Sequence, residues 1–193
     1  MPVISGLKIL YKGYHNFYKN HYGMSREISS FRNPVEQIIK TEKNIQSKES
    51  FVLEYGCGTG FNLEYLYNIG YVNLFGIEQN MDAYLDTDIN KNVRIVNGNL
   101  LEGRNQLMGN IKFDFIFTRS VLQQKEGIGV IKGDFNSDDD VRKILSSFSE
   151  MLNNNGIVFL NEGSQTRNWN DIISNSLFEI IEEGNNFFKL KIK

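Results

Sequence analysis

Cysteine, proline, histidine and alanine are all scarce in this 193-residue chain. One cysteine, Cys57, excludes an internal disulfide, and nothing near it has the Cys/His spacing of a zinc site. A reducing, cytoplasmic compartment is therefore expected. With only Pro2 and Pro34 there is no proline-rich linker. His15 and His21 are the only side chains whose unperturbed titration falls near neutrality. Charge of one sign is missing too. Lys and Arg number 21 against 23 Asp and Glu, a net charge of −2, which disfavours nucleic acid and gives no pull towards an anionic membrane. No apolar run reaches membrane-spanning length, and Met1–Tyr11 lacks the uninterrupted apolar core of a signal peptide. What is present is apolar bulk: 40% hydrophobic and 12% aromatic residues, enough for the core of one soluble domain.

The chain reads in two parts. Residues 1–50 are helical and aromatic, with Tyr11, Tyr14, His15, Tyr18 and Tyr22 at helical spacing and Pro34 in the first turn of a second helix capped by Asn33. From Phe51 to residue 193, short apolar runs alternate with amphipathic segments. Strands are predicted at Phe51–Tyr55, Val72–Ile77, Val93–Val96, Phe113–Thr118, Gly156–Leu160, Phe178–Glu182 and Phe187–Ile192. Helices are predicted up to Gly70, from Asn80 to Leu85, from Ser137 to Leu152, and over Trp169–Asn175. This alternation implies a mostly parallel sheet covered on both faces. The short turn at Gly184-Asn185-Asn186 makes the last strand antiparallel, since so few residues cannot form a parallel crossover.

The densest chemical signal is Val52-Leu53-Glu54-Tyr55-Gly56-Cys57-Gly58-Thr59-Gly60-Phe61, a strand, a glycine turn and a helix start. Gly56 and Gly58 let a ligand approach the backbone, and Gly60 lets helix and strand pack closely. Phe61 stands where a dinucleotide fingerprint needs its last glycine, so the pattern is an acid followed by three alternating glycines. A second acid, Glu78, ends the next strand roughly 20 residues on, the spacing at which a carboxylate meets a ribose edge. The competing reading of Glu54 and Glu78 is two solvated strand ends.

With these residues the segment from Phe51 onward resembles the class I S-adenosylmethionine (SAM)-dependent methyltransferases. The resemblance implies a Rossmann-like α/β three-layer sandwich, a seven-stranded sheet with an antiparallel last strand, and an N-terminal helical cap that belongs to the same domain. It implies that Gly56, Cys57, Gly58 and Gly60 cradle the methionine part of SAM, with Glu54 orienting the loop and meeting the ammonium group. Glu78 takes the ribose hydroxyls and Gln79 lies against the adenine. Asn99 and Leu100 fall where the family places an acid near the adenine amino group; a plain turn is the alternative there. Glu78 and the glycines carry the strongest part of the likeness.

Acid–base candidates are fewer. Gln124 occupies the position where small-molecule members of the family often carry histidine. Arg119 and Ser120 leave the fourth strand, and Asn161 and Glu162 the fifth, at the edge where ligands bind in open α/β sheets. Arg119 is expected to hold the cofactor carboxylate or an anionic substrate group, and Glu162 to take a proton if burial lifts its pKa. An Arg119–Glu162 ion pair tying two loops together is the plain alternative. His15 and Tyr18 are expected over the methyl group as part of a lid, with Arg26 near the cofactor carboxylate; a helix packing its aromatics against the sheet edge is the plain alternative. No metal is expected: Asp138, Asp139 and Asp140 suit the positive end of a helix. The implied activity is methyl transfer to an O, N or S of a small metabolite. RNA or protein methylation, and SAM binding without transfer, stay open, as does the oligomeric state.

Overall fold

The structure, a computed structural model, describes residues 40–81, 84, 93–102, 109–119, 121–122, 137–162 and 167–193. Most of the cap expected at residues 1–50, the Ser120 exit and the Gln124 position lie outside them. Residues 40–44 are the end of a helix, from which Ile45 reaches back into the core.

Seven strands form one sheet in the order β3-β2-β1-β4-β5-β7-β6. They are β1 (Phe51–Tyr55), β2 (Asn73–Glu78), β3 (Val93–Asn97), β4 (Phe113–Arg119), β5 (Leu152–Asn161), β6 (Phe178–Gly184) and β7 (Phe187–Ile192). The first five pair in parallel, while β7 runs antiparallel to both β5 and β6. The expected sheet is therefore observed. The final hairpin places β7 inside the sheet and leaves β6 as the edge. Along that edge, Glu179 and Glu182 face Lys191 and Lys189 across the hairpin.

Among the described residues, three helices cover the sheet: α1 (Phe61–Asn68), α2 (Asp138–Met151) and α3 (Trp169–Ser174). On one face α2 and α3 bury Val141, Ile144, Leu145, Phe148, Trp169 and Ile172 against Leu53, Ile116 and Leu160. On the other, α1 packs Phe61, Leu63 and Leu66 against Val52, Phe115 and Phe117. The alternation of Val52 and Leu53 between faces is the period-two consequence of an extended chain. Helix α2 starts where Ser137 caps the Asp140 amide at 3.1 Å. Its three aspartates diverge to three cations, Arg167, Arg142 and Lys143.

Most boundaries differ from the sequence reading by a residue or two, and the largest difference is at the start of β5. Leu152 keeps the burial that the helical period assigns to it, but it already lies in extended backbone and begins β5, paired with Phe113. Gly156 lies within that strand, not at its start; a Cβ there would meet the Leu152 side chain at 2.6 Å. The register between β4 and β5 shifts over this stretch, so the glycine accommodates an irregularity.

Strand order reverses between β1 and β4: successive strands step one way through β2 and β3 and the other way through β4 and β5. In open α/β sheets the carboxyl ends on either side of such a switch point form a ligand crevice. Glu54, the glycine turn and Arg119 all lie at those ends.

Candidate functional site

The turn after β1 holds three glycines in left-handed backbone: Gly56 at φ 73°, Gly58 at φ 56° and Gly60 at φ 75°. Residues with a Cβ rarely adopt this region, which is why three glycines alternate here. The turn is fastened to β2. The amides of Gly56 and Cys57 both donate to the carbonyl of Ile77, at 2.8 and 3.2 Å. A Cβ on Gly56 would lie 2.3 Å from a methyl of Val121, so the loop leaving β4 presses directly on this glycine. Cys57 is buried, and that burial pushes its thiol well above the usual range, which makes it a packing residue and not a nucleophile.

Glu78 lies inside the loop and grips it. Its Oε2 accepts from the amide of Gly58 at 2.6 Å, and its Oε1 accepts from the amide of Asn80 at 2.7 Å. It is a buried carboxylate, not a solvated strand end. Asn80 also begins the expected helical turn, its carbonyl accepting from the amide of Tyr84 at 2.9 Å.

Glu54, only 2% exposed, accepts from Asn62 Nδ2 at 2.5 Å through Oε1. Its Oε2 and the Asn62 Oδ1 are the two buried side-chain atoms without a hydrogen-bond partner among the described residues. Burial pushes the Glu54 carboxyl up to about 8; the Asn62 bond and the positive charge of Arg119 act against that rise, and Glu78 adds to it. The charge of Arg119 thus acts on Glu54, at the end of β1. Asn62 escaped the sequence reading. Its one signal was a polar residue among the apolar, buried positions of α1.

Gln79 and Asn99 come together at the ends of β2 and β3, with Asn99 Nδ2 donating to Gln79 Oε1 at 2.9 Å. The Asn99 carbonyl, expected to accept from adenine, already accepts from the hydroxyl of Tyr55 at 3.2 Å and the amide of Leu101 at 2.9 Å. It caps the short 3₁₀ turn Leu100–Glu102, in which Leu100 is buried.

Glu162 is fully buried, and three donors fill it. The Thr118 hydroxyl donates to Oε1 at 2.6 Å, the Val121 amide to Oε1 at 3.2 Å and the Leu122 amide to Oε2 at 3.2 Å. Burial pushes its carboxyl up to about 7, against those bonds and the charge of Arg167. Arg167 closes the cluster: its Nε donates to the carbonyl of Leu122 at 2.7 Å and its Nη1 to Asp138 at 2.5 Å. The cation acting on Glu162 is therefore Arg167, while Arg119 acts on Glu54. A carboxylate so engaged fixes the loop that carries Val121 over Gly56. His15, Tyr18 and Arg26 lie outside the described residues.

Both buried acids have folded-state values raised above the ordinary 4.5. Their contribution to stability is full below that value and declines as pH rises towards 8 and 7 respectively. Melting of the wild type and of Glu54→Gln across this interval should show the wild type losing ground to the variant as pH rises. Parallel curves would mean that Glu54 titrates as an ordinary exposed carboxyl.

No family model matches the chain, and no curated protein does. Solved structures match its fold. Magnesium protoporphyrin IX methyltransferase (ChlM) from Synechocystis, solved with bound SAM, superposes with a TM-score of 0.61 at 11% identity over 97% of each chain. A TehB-like SAM-dependent methyltransferase from Corynebacterium glutamicum gives 0.60 at 16% identity, covering 94% of this chain and 97% of its own. DesVI of Streptomyces venezuelae gives 0.51 at 19% identity over 69% of this chain, which spans only 51% of that longer protein. Among the described residues, no helix is long and apolar enough to cross a membrane. The strand order, the antiparallel β7 and these superpositions give the chain the Rossmann-like fold of the class I SAM-dependent methyltransferases.

Proposed function

We propose that the protein is a SAM-dependent methyltransferase acting on an O, N or S of a small metabolite in the cytoplasm. The observation that carries this reading is the left-handed glycine turn at the topological switch point, gripped by Glu78 on one side and flanked by buried Glu54 on the other. The residues fit the cofactor. The turn carries three glycines, which present backbone with no side chain to a ligand, and two buried acceptors without partners flank it in the sequence. Glu54 and Asn62 meet the ammonium group, Arg119 the carboxylate, Glu78 the ribose hydroxyls, and Gln79 the adenine.

When bound, SAM supplies an electrophilic methyl group on a sulfonium. The protein's own residues contribute placement of the acceptor in line with that methyl and exclusion of water. Such transfer needs no strong base, in keeping with a histidine-poor chain. Glu162 is assigned a positioning role: it holds the β4 exit, and through Val121 it holds Gly56. The near-neutral charge supports a small substrate over RNA.

Calorimetry with SAM and with S-adenosylhomocysteine tests the cofactor; labelled-methyl transfer to a metabolite extract tests the activity. Binding without transfer to metabolite, RNA or protein would leave a SAM-binding protein. No binding heat with either ligand on folded protein would remove the reading altogether. Glu78→Ala should weaken S-adenosylhomocysteine by about 1.5–3 kcal/mol, roughly 10- to 150-fold in Kd, as expected for hydrogen bonds to a charged group. Unchanged affinity would mean that Glu78 only braces the loop.

A further inference from the structure

The two buried atoms left without partners form a matched set. Asn62 already donates to one oxygen of Glu54, and what remains is the other Glu54 oxygen and the Asn62 carbonyl. Two acceptors cannot satisfy each other, and each buried acceptor without a partner is costly. One proton on Glu54 Oε2 would satisfy both, closing the two-bond ring of a carboxylic acid against a carboxamide.

We propose that Glu54 and Asn62 form a protonated acid–amide pair that an incoming ligand ammonium opens, the ammonium donating to Glu54 Oε2 and Asn62 Oδ1 while the Glu54 proton leaves to solvent. Charge balances: a neutral acid and a cationic ammonium become a carboxylate–ammonium contact and one released proton. The inference rests on the cofactor reading above and adds Asn62 as a binding residue and proton release as a coupled event. Among the described residues, three charged or titratable groups act on or beside Glu54. Glu78 from β2 disfavours its anion, Arg119 from β4 favours it, and Cys57 in the turn stays a neutral thiol. Burial outweighs the rest, so the acid form persists to about 8. Near neutrality the pair holds its proton, and an ammonium ligand must displace it.

The test uses the full chain in two arms. Carboxyl-carbon NMR of the protein without ligand should show two glutamates titrating above the ordinary carboxyl range, with Glu54→Gln removing the higher of the two signals and leaving that of Glu162. Calorimetry of S-adenosylhomocysteine near neutrality, in buffers of differing ionisation enthalpy, should show about one proton released per ligand, and none in Glu54→Gln. The analogue lacking the amino group should bind without proton release. Asn62→Leu should weaken S-adenosylhomocysteine about tenfold or more and leave the desamino analogue unaffected. Tight binding with no proton release, or equal loss for both ligands in Asn62→Leu, overturns the inference while the cofactor reading stands. Failure of S-adenosylhomocysteine to bind overturns that reading and the ligand half of the inference; the NMR titration still decides whether the pair exists.

Discussion

Glu162→Ala is expected to cost the fold about 3–5 kcal/mol, the range for removing one member of a buried, charged network. The carboxylate accepts from the Thr118 hydroxyl and from two backbone amides, and all three donors would be stranded without water to replace it. Arg167, whose charge acts on Glu162, would keep its ion pair with Asp138. For a chain of this length the change should lower Tm by roughly 6–20 °C. Glu162→Gln should cost less. Its carbonyl can still accept from Thr118 and Val121, while its amide would face the Leu122 N–H as a second donor. Urea unfolding of both variants checks the order. A cost below about 1 kcal/mol for the alanine variant would place Glu162 in a hydrated pocket and restore it as a candidate for handling a substrate proton.

Gly58→Val should abolish measurable binding of SAM and S-adenosylhomocysteine and leave a folded sheet. The residue sits at φ 56°, where a β-branched side chain is strained, and its amide donates to Glu78. Twisting the backbone to relieve the strain pulls that amide off the carboxylate and distorts the cradle. Because Gly58 lies outside every strand and helix, the loss should be local. Gly58→Asn separates the causes, since asparagine tolerates left-handed backbone. That variant should keep the loop near its native path and still bind more than tenfold more weakly, because a side chain now fills the space. Circular dichroism reports the fold and calorimetry the binding. A folded valine variant with native affinity would show that the turn is not the cofactor cradle.

The strands and helices were legible because their signals are local. Period two across Val52 and Leu53, period 3.6 along Val141 to Met151, the Ser137 cap and a turn too short for a crossover each need only a few neighbouring residues. The glycine turn was legible for the same reason, since left-handed backbone at Gly56, Gly58 and Gly60 must be written as glycine. Leu152 shows where local reading ends: its apolar character fits the helix and the strand equally, and pairing with Phe113 on β4 decided for the strand. The roles of the polar residues were set by tertiary structure. Nothing local distinguishes Glu162 as an acid from Glu162 as a clamp; that depended on donors from Thr118, Val121 and Leu122, some forty positions earlier. Asn99 was likewise settled by the Tyr55 hydroxyl, and Glu54 by an amide on α1 that turns a strand-end acid into half of a buried pair. Sequence by itself determined which backbone each segment could adopt, because sterics and periodicity act over a few residues. Only the tertiary structure decided which carboxylates are buried and what donates to them, because desolvation and hydrogen bonding depend on groups brought together from distant parts of the chain.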